Sequence, residues 1–353
     1  MQGDSAPTAE AQLSFLAKVQ RLFAEGDFTA TYKFALLIAF ADLAVELGSD
    51  DGRELLLTNS QIGQRFIQLY WNHTSPYGVG RPGSQPGILV QNAGAQARVI
   101  SAIAEFRARV SASSPQLAAK HANYRDLLRK VTETVSAQPL TYLQNFGGGT
   151  DPFIYERAGP GRIRLHPGVT YCLRRFQQLI QQLARSHWID HIKVNRRNQA
   201  ILGDADDLGE FLFHSSRQSL VALGERLRLV DGAKCFYCGS AVANMDVDHF
   251  IPFTLYPRDL AHNFVVAHPE CNRSKSDMLA AKRHLEKWLQ RLELRSDDLA
   301  EVAVGLGFPS EPEITRRVAL WGYGSALASG GSAWIAPKRF EVVDSSYMRC
   351  FGA

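Results

Sequence analysis

Two short cysteine- and histidine-containing motifs constrain this chain more than any other feature of its sequence. Cys235 and Cys238 form a CxxC pair, and His268 and Cys271 form an HxxC pair. Thiolates select zinc among the common divalent ions, and two such pairs can supply a tetrahedral ligand set. Each cysteine alone could be a buried apolar thiol. Together the four residues predict a structural zinc ion that holds the intervening segment closed at its base.

The segment between the two pairs begins with an alternating stretch, "MDVDHFI". Alternation predicts a strand with Val247 on one face and Asp246 and Asp248 on the other. The strand ends in Asp248 and His249, a carboxylate suited to a hard divalent cation beside an imidazole that can accept a proton near neutral pH. Asp246 could support the same site or simply be solvated.

The second half of the segment predicts another strand and then a helix. Asn263 precedes the apolar stretch "FVV", and a helix is expected from Cys271 onward, with Ser274 and Asp277 spaced as a capping box. Asn272 lies just ahead of that cap and can offer a neutral oxygen ligand. The predicted order is therefore a hairpin followed by a helix around one cation.

Residues 235–288 resemble the HNH endonuclease family, whose fold is the ββα-metal motif. The resemblance rests on the zinc knuckles, Asp-His-x-x-Pro, a central Asn and Cys-Asn-x-x-Lys, in this order. Stand-alone bacterial HNH proteins of restriction or defence type look most similar. "DVDHFIP" and "NRSKSD" also resemble the HNH domain of RNA-guided CRISPR effectors, which lacks zinc knuckles. His268 departs from the family pattern, which places a cysteine there.

The resemblance implies a role for each matching residue. His249 would be the general base that deprotonates water, and Asp248 would bind the catalytic metal. Asn263 would brace the loop that holds His249, and Asn272 stands where the family places its second metal ligand. Two protein ligands leave room for waters and the scissile phosphate, which suits Mg²⁺, with Mn²⁺ as an alternative.

Basic residues beyond the second pair are candidates for contact with nucleic acid. Lys275, Lys282 and Arg283 are predicted on one helical face, where they could bind phosphates or form an ordinary solvated surface. His284 on the same helix is expected at the surface, whereas the apolar side chains that follow it are expected in the core: Leu285, Trp288, Leu289 and Leu292.

The rest of the chain predicts a predominantly helical α+β protein. Val99, Ile103, Phe106 and Val110 recur at helical spacing. The stretch 34–47 is apolar but short, which favours a buried helix over a membrane span. "FIYER" and "RIRLH" on either side of "AGPG" predict a short hairpin. Cys172 lies on the apolar face of a later helix, so we expect it in the core.

These patterns divide the 353 residues into four segments. A helical N-terminal region, 1–145, would serve recognition or partner binding. A helical linker region with a short hairpin, 146–228, leads to the HNH nuclease domain, 229–295. A C-terminal extension, 296–353, follows.

Composition sets broad limits on the class of protein. Five cysteines, three of them in one segment, favour a metal site in a reducing compartment over a disulfide framework. No signal peptide or membrane span is recognised, so a cytoplasmic protein with no membrane partner is expected. A net charge of +4 permits a nucleic-acid partner without requiring one.

Three functions fit these observations. The first is a metal-dependent DNA endonuclease of restriction or anti-phage defence, acting on double-stranded DNA, with a protein or guide partner bound through the N-terminal region. The second is a zinc-stabilised nucleic-acid-binding module without cleavage. The third is an RNase or toxin that uses the same centre.

Overall fold

The computed structural model describes residues 6–79, 85–203, 207–214 and 217–352. The chain forms two compact units, Met1–His214 and Ser215–Ala353. The boundary therefore falls at residue 214, whereas the sequence suggested boundaries after residues 145, 228 and 295. Residues 296–353, which the sequence set apart as a C-terminal extension, fall in the same unit as the segment with the metal-binding motifs.

The first unit is mostly helical. Its helices are, in chain order, α1 (Ala9–Glu25), α2 (Tyr32–Leu47), α3 (Asn59–Tyr70), α4 (Arg98–Arg109), α5 (Pro115–Ala118), α6 (Tyr124–Ala137), α7 (Pro139–Tyr142), α8 (Val169–Arg175), α9 (Gln177–Val194), α10 (Gln199–Leu202) and α11 (Leu208–Phe213).

Helix α2 forms the centre of this unit because it is apolar on every side. All of its residues from Tyr32 to Glu46 are buried. Its two buried acids, Asp42 and Glu46, both lie near the guanidinium of Arg65 on α3, at 3.9 and 2.6 Å. The prediction of a buried helix at 34–47 is confirmed, and Cys172 on α8 is also buried, at 3% exposure.

Short antiparallel strands border the helices of the first unit. The strands are β1 (Leu55–Thr58), β2 (Asn145–Phe146), β3 (Gly149–Thr150), β4 (Tyr155–Arg157) and β5 (Arg162–Leu165). Strands β4 and β5 form the hairpin that the sequence predicts, and β1 adds to it in the order β1-β5-β4. Strands β2 and β3 pair separately.

The second unit combines helices with two small hairpins. Its elements are α12 (Arg217–Asp231), β6 (Asp246–His249), β7 (Phe264–Ala267), α13 (Pro269–Lys275), α14 (Lys282–Leu306), α15 (Pro312–Ala328), β8 (Ser332–Ala336), β9 (Arg339–Val342) and α16 (Ser345–Arg349). The predicted mostly helical α+β class is therefore confirmed. Among the described residues, no helix is both long enough and apolar enough to cross a membrane.

Strands β6 and β7 pair antiparallel, with Val247 opposite Val266 and Asp248 opposite Val265. Val247 and Val266 pack in a cluster with apolar residues of α12 and α14. Gly224 allows α12 to lie this close, because a Cβ at that position would come within 2.8 Å of Val247. Since side chains alternate along a strand, the hairpin's opposite face carries Asp246 and Asp248.

The helix predicted from Cys271 onward is in fact two helices. Helix α13 ends at Lys275, Ser276 has a φ of 48°, and α14 begins at Lys282. The capping box predicted at Ser274 and Asp277 was wrong, because Ser274 lies within α13 and its hydroxyl accepts a hydrogen bond from Trp334 Nε1 at 3.0 Å. The backbone of β8 accounts for the break, since Trp334 bonds to the chain on both sides of Ala280, at Leu279 and Ala281.

Candidate functional site

The four predicted zinc ligands come together. The ligand atoms of Cys235, Cys238, His268 and Cys271 all lie within 4.8 Å of one another, the only such group of three or more His, Cys, Asp or Glu side chains in the described part of the chain. The first pair sits on a tight turn, in which the N–H of Gly239 donates to the carbonyl of Cys235 at 2.9 Å. Gly239 has a φ of 77°, a conformation that favours glycine.

The ring of His268 is oriented for metal binding. Its Nε2 lies 3.0 Å from the carbonyl oxygen of Ala241, so Nε2–H is the donor there and Nδ1 keeps its lone pair. Nδ1 lies 3.3 Å from Cys238 Sγ, on the side of the thiols. A second hydrogen bond that fixes the tautomer is usual for metal-binding histidines.

The thiols of the cluster need a cation if they are all to ionise. Although partial burial opposes ionisation of Cys238, hydrogen bonds from the backbone and side chain of Ser240 lower the pKa of this thiol to about 7. Burial and the neighbouring sulfur of Cys235 raise the pKa of Cys271 to about 12. A bound divalent ion would remove this repulsion, so the group could hold a metal ion such as zinc.

Asp248 is buried next to the cluster, at 7% exposure, and both of its oxygens have protein partners. The ammonium of Lys275 lies 3.1 Å from Oδ2 and 3.4 Å from Oδ1. Tyr237, which lies between the cysteines of the first pair, donates its hydroxyl proton to Oδ2. Burial and the charge of Asp248 raise the pKa of Tyr237 well above its ordinary value, so this phenol remains a donor.

Lys275 therefore does not take the surface role that the sequence suggested for it. Its side chain is 0% exposed, and its ammonium also donates to the carbonyl of His249 at 2.9 Å. Because α13 ends at this residue, Lys275 points under the β6–β7 hairpin and does not share a face with the lysines of α14. It is a counterion of Asp248, and phosphate contact by Lys275 is excluded as long as this packing holds.

Asp246 and Asn272 form a second polar contact on the same face of the hairpin. Asn272 Nδ2 donates to Asp246 Oδ2 at 3.1 Å, and both residues are half-buried. The structure thus places the predicted ligand Asn272 in contact with Asp246, and Asp248 is held by other groups. The sequence did not distinguish the two acids, because both lie on the same face of one strand.

The side chain of His249, at the end of β6, projects from the face of the strand opposite to Asp246 and Asp248. Its Nε2 lies 2.7 Å from Asp259 Oδ1, and its ring contacts those of Phe253 and Phe264 at 5.2 and 4.5 Å between centroids. Asp259 was not among the site residues predicted from the sequence. The sequence gives only a weak signal for Asp259, which is a single acid in the loop between β6 and β7. This carboxylate fixes the orientation of the imidazole.

Asn263 holds the chain that follows His249. Its side-chain oxygen accepts from the N–H of Ile251 at 2.7 Å, and its Nδ2 donates to the carbonyl of the same residue at 2.8 Å. The amide is 3% exposed. Its side chain thus ties the start of β7 to the loop after β6, while its contribution to catalysis stays a prediction.

The remaining basic candidates lie at the start of α14. Lys282 is half-exposed with its ammonium 3.8 Å from Glu286, and Arg283 is exposed with one nitrogen 2.8 Å from the carbonyl of Ile335. His284 is buried at 3%, stacked on Trp334, which corrects its predicted surface position. The predicted core residues of this helix are confirmed as buried: Leu285, Trp288, Leu289 and Leu292.

Comparisons with known proteins do not assign this chain to a family. No protein-family model matches it, and neither a curated protein nor a solved structure matches it. The function is therefore inferred from the geometry of these residues and from the sequence resemblance.

Proposed function

We propose that the segment around β6, β7 and α13 is an HNH-type ββα-metal centre, and that the protein is a metal-dependent endonuclease of bacterial restriction or anti-phage defence. One observation carries the proposal. Asp246 and Asp248 share the face of the hairpin that contacts Asn272 and Lys275 of α13, and the same strand ends in an imidazole that Asp259 orients. A Cys3His group that could hold zinc includes the residues at the start of that helix. A module that only bound nucleic acid would need none of the catalytic side chains.

Zinc would have a structural role here. The hairpin and α13 are short, with four residues in each strand and seven in the helix. Elements of this size do not hold their geometry without support, and a structural metal is one common source of it. Zinc bound by Cys235, Cys238, His268 and Cys271 would fix the start of α13 and the turn before β6.

The catalytic cation would be held on the acidic face of the hairpin. Asp246, Asp248 and Asn272 offer oxygen ligands of the kind that Mg²⁺ and Mn²⁺ accept. Lys275 already places a positive charge against Asp248, so Asp246 is the acid with fewer protein contacts in this group. When bound, such a cation would stabilise negative charge on the phosphate and on the leaving 3′ oxygen.

The chain's own residues would supply the proton transfer. If Nε2–H of His249 donates to Asp259, Nδ1 is left to accept a proton from the attacking water. Asp259 would stabilise the imidazolium that results, and Asn263 would keep the loop in place. Attack of the water on phosphorus would break the bond between phosphorus and the 3′ oxygen, and this oxygen would take up a proton from solvent, which leaves a 5′-phosphate and a 3′-hydroxyl.

The choice among the candidate functions follows from one set of incubations. Purified full-length protein is mixed with supercoiled plasmid, linear duplex and RNA, each with and without Mg²⁺. Cleavage of both DNA substrates only with Mg²⁺ supports the proposal, and preferential cleavage of RNA supports the RNase or toxin function. Binding without cleavage in every mixture would identify a zinc-stabilised binding module.

Asp246→Ala should raise the Mg²⁺ concentration needed for half-maximal cleavage by about 10- to 100-fold, the usual effect of removing a group that binds or supports a metal site. Zinc content should not change, because Asp246 is not part of the Cys3His group. Asp277→Ala, an exposed acid just after α13, is the matched control. An unchanged Mg²⁺ dependence in Asp246→Ala would remove this residue from the proposed site.

Lys282→Ala and Arg283→Ala should each weaken DNA binding about equally for all sequences. Each lost phosphate contact should also reduce the slope of log affinity against log salt concentration by about 1. Binding is measured by fluorescence anisotropy over a range of salt concentrations. Arg295→Ala, an exposed cation farther along α14, serves as the control. An unchanged slope in both variants would mean that this end of α14 does not contact DNA.

A further inference from the structure

The helical first unit contains a cavity of about 530 Å³, a size typical of small-molecule sites. The residues around it come from the starts of α2 and α4, the turn before α2 and the region of α7 and β2. Its lining is largely polar and includes two cations, Lys33 and Arg98, and one acid, Asp27. No step of the proposed nuclease mechanism uses any of these residues.

Two helices begin at this cavity, and neither is capped by the side chain of the residue that precedes it, although the hydroxyl oxygen of Tyr32 accepts a hydrogen bond from the N–H of Val99 in the first turn of α4. The residue before α2 is Thr31, whose hydroxyl is instead bonded to Tyr70 and Gln91, and the residue before α4 is Ala97. Neither helix has an acid in its first turn. At α2, whose first residues line the cavity, the first-turn N–H groups have no side-chain cap, so the positive end of this helix dipole is not compensated there.

Each of these helices also carries a cation in its first turn, where positive charge is unfavourable. Lys33 is the second residue of α2 and Arg98 is the first residue of α4. Lys33 is 7% exposed. Its ammonium makes one long hydrogen bond, 3.3 Å to the carbonyl of Asn145, and lies 5.4 Å from the centroid of the Phe28 ring. In the described part of the chain no carboxylate oxygen lies within ion-pair distance of it.

A buried ammonium at a helix N-terminus costs free energy unless an anion compensates it. Desolvation lowers the pKa of Lys33, with partial compensation from the charge of Asp27. Tyr32 adds a further donor, because its oxygen accepts from the N–H of Val99 at 3.3 Å and its proton has no acceptor among the described residues. The arrangement is thus rich in donors for an anion and has one acid that could accept a hydrogen bond from a ligand hydroxyl.

The geometry points to a binding site for a small phosphorylated molecule in the first unit, with its phosphate held by Lys33, Arg98 and the N-terminus of α2. Phosphate at a helix N-terminus next to basic side chains is a recurrent arrangement in proteins. Asp27 would accept a hydrogen bond from a hydroxyl of the same ligand, as a ribose or another sugar would provide.

Isothermal titration calorimetry of the full-length protein tests this site without reference to nuclease activity. The probes are adenosine 5′-monophosphate, ribose 5-phosphate and inorganic phosphate, with adenosine and ribose as partners that lack the phosphate. We expect at least one phosphorylated probe to bind, and its counterpart without phosphate to bind at least about 100-fold more weakly. Binding of all three phosphorylated probes would indicate that the phosphate alone is recognised.

Two variants locate the bound phosphate. Lys33→Met should weaken binding by about 10- to 100-fold, the loss of a charged hydrogen bond, and Arg98→Gln by about tenfold. The matched controls are Lys120→Met and Arg125→Gln, which change exposed cations of the same unit. The melting temperature of ligand-free Lys33→Met should be equal to or higher than that of the wild type, since a buried charge is replaced by an apolar chain of similar length.

Because Arg98 is exposed, Arg98→Gln keeps the experiment decisive if Lys33→Met fails to fold. Absence of binding by every phosphorylated probe at millimolar concentration would overturn the inference. Binding with the same affinity in the wild type and in Arg98→Gln and Lys33→Met would overturn it as well, since the phosphate would then be bound elsewhere.

Discussion

Replacing His249 with alanine should lower Mg²⁺-dependent cleavage of plasmid DNA by about 10²- to 10⁴-fold, the usual contribution of a general base. The imidazole is held by Asp259 at 2.7 Å and contacts two phenylalanine rings, but it takes no part in the Cys3His group or in the contacts of Asp246 and Asp248. Its removal should therefore leave zinc content, folding and DNA binding unchanged. Initial rates of nicking at saturating Mg²⁺ measure the effect.

The control for this substitution is His121→Ala, which removes an exposed imidazole from the first unit. That variant should cleave at the wild-type rate. Near-normal cleavage by a folded His249→Ala protein would mean that the proposed chemistry is wrong, whatever the function of the zinc-binding segment.

Removal of zinc should have the largest effect on stability. Binding of zinc to structural sites of this kind contributes about 10 kcal/mol or more to folding. Elemental analysis of protein purified without added metal should find about one zinc per chain. Cys238→Ser should lose the metal, and residues 215–353 should then become sensitive to proteolysis and prone to aggregation.

The first unit provides an internal reference for this experiment, because it has its own core and none of the four ligands. Its protection against hydrogen exchange should change little in Cys238→Ser. Cys350→Ser, which changes a cysteine outside the cluster, should retain zinc and stability. A zinc-free Cys238→Ser protein with a fully folded second unit would contradict the structural role of the metal.

The metal-binding group could be predicted because its signal is local. Two cysteines on one turn, and a histidine and cysteine three residues apart, restrict the possible ligand geometry without knowledge of the rest of the fold. The strand alternation around Asp246 and Asp248 was predictable for the same reason, as was the hairpin of β4 and β5.

Interactions between distant parts of the chain were not predictable. The sequence from Met278 to Ala281 is compatible with a helix, and only the backbone of β8 shows why the helix is interrupted there. Lys275 appears in the sequence as one of several basic residues, yet it is buried under Asp248. Trp334 contacts the ring of Tyr237, the donor to Asp248, so the C-terminal hairpin supports the candidate site.

This packing changes how the acidic residues should be tested. Asp248→Ala would remove the counterion of a fully buried ammonium and leave the Tyr237 hydroxyl without its acceptor, so lost activity could follow from lost structure. Asp246 is half-buried and lies against Asn272, which makes it the better position for separating metal binding from folding. Deletion of residues 296–353 should be avoided for the same reason.

The chemical identity of the product ends distinguishes the proposed metal-dependent hydrolysis from other ways of breaking the DNA strand. Zinc-loaded wild-type protein is incubated with supercoiled plasmid and Mg²⁺, and the nicked product is treated with DNA ligase. Attack by water on phosphorus, with breakage of the bond to the 3′ oxygen, predicts 5′-phosphate and 3′-hydroxyl ends. DNA ligase reseals such ends without further treatment. Plasmid that stays intact at every Mg²⁺ and Mn²⁺ concentration, or nicks that ligase seals only after a 3′-phosphate is removed, would contradict the proposed reaction.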